Sequence, residues 1–177
     1  MALALIFVIG QQPSRSRAAS AAETPSAAQT LQDAALTDLQ TLRTQLTFHP
    51  LLPPNLTLPA GHLFDRVVWA PTPPVTGFGV FISSTLTPSA GHSAIHMDEA
   101  LVTPQEQSDP RNPLVAFSSI LTPVSLPNGV WYEMQQQHDP NKGEWILMAQ
   151  RGAIEIEVDG LDSKGVLETF AGKLGAS

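Results

Sequence analysis

The residues best suited to chemistry in this chain are few, and their spacing limits what they can do. His92 and His96 stand four apart, with Asp98 and Glu99 just behind. On a helix, that spacing would put two imidazoles on one face, as zinc sites require. The intervening Ile95, Met97 and Leu101 alternate instead, which predicts a strand, and there the two imidazoles lie about 13 Å apart along one face. Ser93 follows His92, so the glutamate of the HExxH zinc motif is missing. Glu155, Glu157 and Asp159 could imitate a carboxylate pair, but they alternate with Ile154, Ile156 and Val158, as on any half-wet strand. No GxSxG elbow exists to expose a serine nucleophile. Gly77-Phe78-Gly79 lacks both the third glycine and the following helix of a phosphate-binding loop. With no cysteine in the chain, thiolate catalysis, disulfides and Cys-ligated zinc are excluded. The residue types therefore point to no catalytic residue, no metal and no cofactor.

Charge narrows the partners. Nine Lys and Arg face sixteen Asp and Glu, a net charge of -7. Nucleic-acid binding needs basic clusters that displace counterions, and the densest basic pair is Arg15 and Arg17. Charged residues make up only 14% of the chain against a usual share of about 25%. Prolines (16 of 177 residues), Ser, Thr, Gln and Ala fill the difference, a composition that suits loop-rich extracytoplasmic domains.

Large aromatics are the better candidates for binding. Trp69, Phe81 and Trp145 are those able to line a groove, with Trp131 beside them. Phe81 stands opposite Val80 and Ile82 in the alternation, so it belongs to the other face of its strand. If both faces are apolar near it, a helix covers one and a ligand or partner the other; the alternative is that these aromatics pack under the terminal helices.

These groups are carried by a readable set of elements. Leu31, Ala35, Leu39, Leu42 and Leu46 form one helical stripe over about residues 28–46, with Thr24-Pro25 as the starting signal and Pro50 as the stop. Pro50, Pro53, Pro54 and Pro59 then force an extended path, within which Asn55-Leu56-Thr57 matches a glycosylation acceptor. Strands are predicted at 62–70, 77–86, 93–102, 114–126 (interrupted at Pro123), 130–137, 144–150 and 153–159. Residues 103–113 read as a polar loop. A final helix, capped by Asp162 or Ser163, presents Val166, Leu167, Phe170, Ala171 and Leu174. The fold class is α+β: a curved antiparallel meander sheet of about six or seven strands, with an N-terminal and a C-terminal helix on one face.

Residues 1–27 are set apart from this domain, which covers 28–177. Ala2 to Ile9 is uncharged and apolar, and as a helix it would span about 12 Å of a hydrocarbon core about 30 Å thick. It suits the apolar part of a signal peptide, though without a positive start, or the outer end of an anchor beginning upstream; a buried strand is the third reading. The Ser/Ala/Pro/Gln run from Gln11 to Gln29 has linker composition. A greasy end on a polar tether favours export or membrane anchoring. Arg15 and Arg17 would be cytoplasmic if they flank a span, which weighs the other way.

Two groups of residues carry a family resemblance. The first is Phe48-His49-Pro50 followed by Leu58-Pro59-Ala60-Gly61 leading into a strand. The second is Trp145-Ile146-Leu147, Gly152-Ala153-Ile154-Glu155-Ile156 and Gly160-Leu161, then a capped helix ending Phe170-Ala171-Gly172-Lys173-Leu174. Over about residues 45–175 the chain resembles a bacterial extracytoplasmic domain of unknown function. That domain follows a single membrane span, often in proteins like anti-sigma factors or associated with sporulation. The resemblance implies a sheet similar to those of lipoprotein carriers and periplasmic sigma regulators, and it brings no catalytic residues. The expected function is a non-enzymatic interaction or sensor domain, membrane-anchored or secreted, binding a protein or envelope component through Trp69, Phe81 and Trp145. A lipid or lipoprotein carrier with an apolar cavity is the alternative. A hydrolase, which would need a histidine, a carboxylate and a nucleophile in one cleft, comes third.

Overall fold

The computed structural model describes residues 26–70, 72–84, 94–137 and 143–175. Seven antiparallel strands form one open sheet: β1 (His62–Trp69), β2 (Gly77–Ser84), β3 (Ile95–Leu101), β4 (Thr122–Leu126), β5 (Gly129–Gln135), β6 (Trp145–Arg151) and β7 (Ile154–Gly160). Their spatial order is β1-β2-β3-β7-β6-β5-β4. One meander therefore does not describe the sheet. After β3 the chain crosses to the far edge and winds back, so that β7 closes against β3 with His96 opposite Asp159 and Leu101 opposite Ile154.

Alternation decides which side chains are buried. Val80, Met97, Val158 and Leu147 are Cα partners along one row, and all are 1% exposed or less. They share a buried cluster with Ala35, Leu39 and Leu42 of α1 (Ala27–Arg43) and with Leu167, Phe170 and Ala171 of α4 (Lys164–Ala171). α1 packs along β1, and α4 touches β6 and β7. The first helix begins at Ser26, whose hydroxyl oxygen accepts from the Gln29 N–H at 3.2 Å. Thr24-Pro25 lies outside the described residues. Within the predicted stripe Leu31 is exposed, while Leu46 makes a parallel bridge to Val75.

β1 hides an irregularity that alternation alone would miss. Phe64 and Val67 both belong to the core, yet a spacing of three puts residues on opposite faces of a regular strand. A bulge between Phe64 and Arg66 resets the face, so Phe64 pairs with Ile82 and Val67 with Val80. At the other edge β4 carries Pro123, which offers no N–H to a foreign strand.

The proline-rich path after α1 is a strap, bonded to the sheet and to the chain end. Phe48 stacks on Phe78 with ring centroids 6.3 Å apart. The Leu51 N–H donates to both carboxylate oxygens of Glu99 at 3.0 Å, and the Leu52 carbonyl accepts from the Gly175 N–H at 3.3 Å. Glu99 is 1% exposed, and burial pushes its carboxyl up to about 7 against the pull of the Leu51 bond.

The sequence placed a strand from residue 114, whereas the structure has helical turns there. Thr103-Pro104-Gln105-Glu106 forms a capping box: the Glu106 N–H donates to the Thr103 hydroxyl at 3.3 Å, and the Thr103 N–H donates to the Glu106 carboxylate at 2.7 Å. That box opens α2 (Pro104–Gln107). Asn112 then caps α3 (Pro113–Ala116), with proline at its first position. Only Thr122–Leu126 of the predicted strand is extended. Local caps prevail here over the apolar run Leu114-Val115-Ala116-Phe117.

Candidate functional site

The face of the sheet opposite the core cluster carries both polar and apolar features. On it, Phe81 of β2 pairs with Arg66 of β1 and with His96 of β3. The His96 ring stacks on Phe81 at 4.3 Å between centroids, and the Arg66 guanidinium lies 4.0 Å from the Phe81 centroid. His96 Nδ1 is 3.2 Å from Asp159, and Nε2 is 3.4 Å from Asp98. Burial alone would lower this imidazole's pKa. The hydrogen bond to Asp159 and the charges of Asp98, Asp159 and Glu157 outweigh burial and hold it above the ordinary value. Glu157 is pushed up to about 7, by burial first and then by Asp159 and Asp98. Asp98 is raised mainly by burial, against the pull of His96. Gly79 leaves room for this cluster: a Cβ there would lie 2.7 Å from Asp98 Oδ1 and 3.2 Å from His96 Nε2.

This cluster is well ordered, but its chemistry is incomplete. Among the described residues, no three His, Asp or Glu side chains converge as a metal site would need, and His92 and His138 lie outside those residues. His62 makes a separate pair with Asp162, its Nδ1 lying 3.1 Å from the Ala60 carbonyl. The described partners of both imidazoles are carboxylates, a backbone carbonyl and an aromatic ring, with no serine or threonine hydroxyl among them.

Further along the same face lies a groove. The chain from Val102 to Leu121 forms one wall and β5 with the end of β6 the floor. Leu114, Val115, Leu121, Val130 and the Tyr132 ring make its apolar lining, and Gln107, Ser118, Gln150 and Arg151 its polar lining. It encloses about 520 Å³. Of this lining, Val115, Val130 and Tyr132 are exposed large hydrophobics. Asn112 fixes the wall: its Nδ2 donates to Glu155 Oε2 at 2.5 Å while its Oδ1 accepts from the Leu114 N–H at 2.9 Å. Gln107 Nε2 donates to the Gly152 carbonyl at 3.1 Å. Beneath the polar part, Ile146 and Met148 face away from the main core yet are only 9% and 1% exposed.

Trp69, Phe81 and Trp145 do not share one groove. Trp69 is half-buried on the core side of edge strand β1, its indole N–H donating to Gln45 at 3.2 Å. Trp145 is on the core side of β6, paired with Gly160 and lying 4.9 Å under the Lys164 ammonium. Phe81 stands on the opposite face, as its alternation predicts, within the His96 cluster. Sequence reasoning missed the groove because its wall was assigned to a strand. Thr103-x-x-Glu106 and Asn112-Pro113 were the signals that could have found it. Asn55 lies exposed in a single 3-10 turn, Pro54–Leu56.

No protein family, curated protein or solved structure matches this chain. No described helix is long and apolar enough to cross a membrane, and Ala2 to Ile9 lies outside the described residues.

Proposed function

We propose that this chain is a non-catalytic interaction or sensor domain that works outside the cytoplasm and reads its ligand in the groove between the Val102–Leu121 wall and β5. The observation that carries this reading is the ring of exposed apolar side chains around an ordered, pinned groove. Val130 is 49% exposed, Tyr132 40% and Val115 38%. Large apolar side chains gathered in one place, rather than scattered, mark a contact surface.

The same reading accounts for the rest of the molecule. Both terminal helices cover one face of a curved sheet, and the proline strap closes that side, so the opposite face is the one left for a partner. The His96 cluster serves as charged, oriented surface next to the groove. The N-terminal apolar segment and its polar linker tether the domain to the membrane or mark it for export, in the manner of the bacterial extracytoplasmic domains it resembles. Against an internal-cavity carrier stands the packing of the core side: Leu39, Leu42, Met97, Leu147 and Leu167 are each 1% exposed or less.

A photo-crosslinking amino acid at position 132, compared with one at the exposed Thr37 of α1, tests the proposal in cells expressing the full chain. The expected result is a discrete adduct from position 132 alone, lost when Val130→Glu is added. Equal labelling from both positions, or an adduct indifferent to Val130→Glu, would overturn it.

A further inference from the structure

Glu99 is a buried titratable group that the groove leaves unused. It stands on the core side of β3 between its Cα partners Phe78 and Ile156, and it is 1% exposed. Both its carboxylate oxygens accept from the Leu51 N–H at 3.0 Å, and among the described residues it has no ion pair. The elements around it bring no balancing charge. β2 carries no titratable residue. On β3 and β7, His96, Asp98, Glu155, Glu157 and Asp159 alternate to the opposite face. His49 of the strap is exposed, as are Asp33, Asp38 and Arg43 of α1. Lys164 of α4 is engaged with Glu133 and Glu168. An ionised Glu99 has therefore exchanged its water for one backbone donor, a loss that the neutral acid feels far less. Burial raises its pKa for that reason.

The strap over this carboxyl is lightly fixed. Two hydrogen bonds tie residues 48–58 down, from the Leu51 N–H to Glu99 and from the Gly175 N–H to the Leu52 carbonyl. Pro50, Pro53 and Pro54 have no N–H to add. Asn55 and Leu56 stand at φ 50° and 54°, in the left-handed region that residues with a side chain adopt at a cost. A lifted strap regains that cost and lets water reach the carboxylate, while the strand ladders keep their own bonds. We propose that Glu99 is a proton-controlled latch for the strap: protonated, it keeps residues 48–58 and the chain end at Gly175 closed on the sheet; ionised, it favours a local opening in which the strands stay paired. The latch lies on the core side and does not depend on the groove. Its sign follows from the raised carboxyl. The closed strap binds the proton more tightly than the open one, so closure is firmest at low pH and weakens as pH rises through about 7.

Hydrogen exchange of the full chain, followed by NMR from pH 5 to pH 8 with the intrinsic exchange rate divided out, tests this. The Leu51 and Gly175 amides should open together and more readily than the Leu147 and Val158 amides of the sheet, and low urea should leave their exchange unchanged, as for any local opening. Their opening constant should rise at least about thirtyfold from pH 5 to pH 8, in step with one ionisation. Glu99→Gln should remove that rise. An opening constant that is flat with pH, the same rise in Glu99→Gln, or exchange of Leu51 and Gly175 only together with the sheet would each overturn the proposal. Should Glu99→Gln fail to fold, the pH and urea series on the unaltered chain still decide.

Discussion

Replacing Glu99 with glutamine should change how stability depends on pH more than it changes stability at any one pH. Glu99 is 1% exposed and, among the described residues, its carboxylate accepts from the Leu51 N–H alone, so its charged form has lost water and regained one donor. Its carboxyl is pushed from 4.5 to about 7 in the folded protein. The folded state therefore holds the proton more tightly than the unfolded chain. The stability this confers is fully present below about pH 4.5 and is lost as pH rises through about 7. The rise from 4.5 to about 7, at about 1.36 kcal/mol per pH unit, gives a loss of about 3 kcal/mol over that window. Glutamine resembles the protonated acid and still accepts from Leu51, so Glu99→Gln removes the loss. Urea unfolding of both proteins from pH 4 to pH 8 is the assay. Near pH 4 the two should be close. By pH 8 the variant should lead by about 3 kcal/mol, the difference growing most steeply between about pH 5 and 7. Glu157, the other carboxyl raised to about 7, is common to both proteins and cancels in the difference. A difference that stays flat across the range would refute the reasoning, since it would mean that Glu99 keeps its water or finds a counter-charge.

Asn128→Ala should destabilise by about 2–4 kcal/mol in the same assay. Its amide donates to the Ala171 carbonyl at 2.7 Å and the Leu174 carbonyl at 2.9 Å, and its oxygen accepts from the Trp131 indole N–H at 2.9 Å; the Trp131 N–H and the Leu174 carbonyl would lose these bonds, while the Ala171 carbonyl would keep the Leu174 N–H at 3.1 Å. Gly160→Ala should cost about 2–3 kcal/mol: φ is +147° there, and a Cβ would lie 2.2 Å from the Ala94 carbonyl oxygen, so thermal melting should drop sharply. Asp159→Asn should lower the His96 pKa, measured by imidazole proton shifts in NMR, because it removes a bonded charge that opposes burial. The raised His96 value means that its contribution to stability is present at low pH and lost as pH rises through that value, so Asp159→Asn should also flatten that part of the stability curve. An unmoved His96 titration would show that Asp159 does not hold the imidazole.

Much of the sheet was legible because alternation and punctuation agree. Phe78, Val80 and Ile82 against Gly79 and Phe81, or Ile154, Ile156 and Val158 against Glu155, Glu157 and Asp159, leave one choice of face, and Pro127-Asn128-Gly129 and Arg151-Gly152 mark turns between strands. What alternation cannot carry is strand order. Nothing in residues 102–121 announces that the chain crosses to the far edge, so the return of β7 to β3 was not foreseen. The bulge at Asp65 was hidden for a related reason, since an extra residue shows only in the pairing. The groove was missed where two local signals conflicted. Leu114 to Leu121 has strand-like apolar content, yet Asn112 and Pro113 commit its start to a helical turn. Of the aromatic candidates, Phe81 was placed on the correct face by period alone. Trp69 and Trp145 share a face but stand on strands at different places in the sheet, a separation that only the order β1-β2-β3-β7-β6 reveals.

On the proposed function, ligands meet this protein on the face opposite its core and do not enter between the helices and the sheet. Methyl-resolved NMR of the full chain titrated with 1-octanol, as an apolar probe of both faces, is the test. Shifts should concentrate on the methyl groups of Leu114, Val115, Leu121 and Val130, with Leu39, Leu42 and Leu167 unmoved. Shifts centred on those three buried leucines would place the ligand inside the core and contradict it.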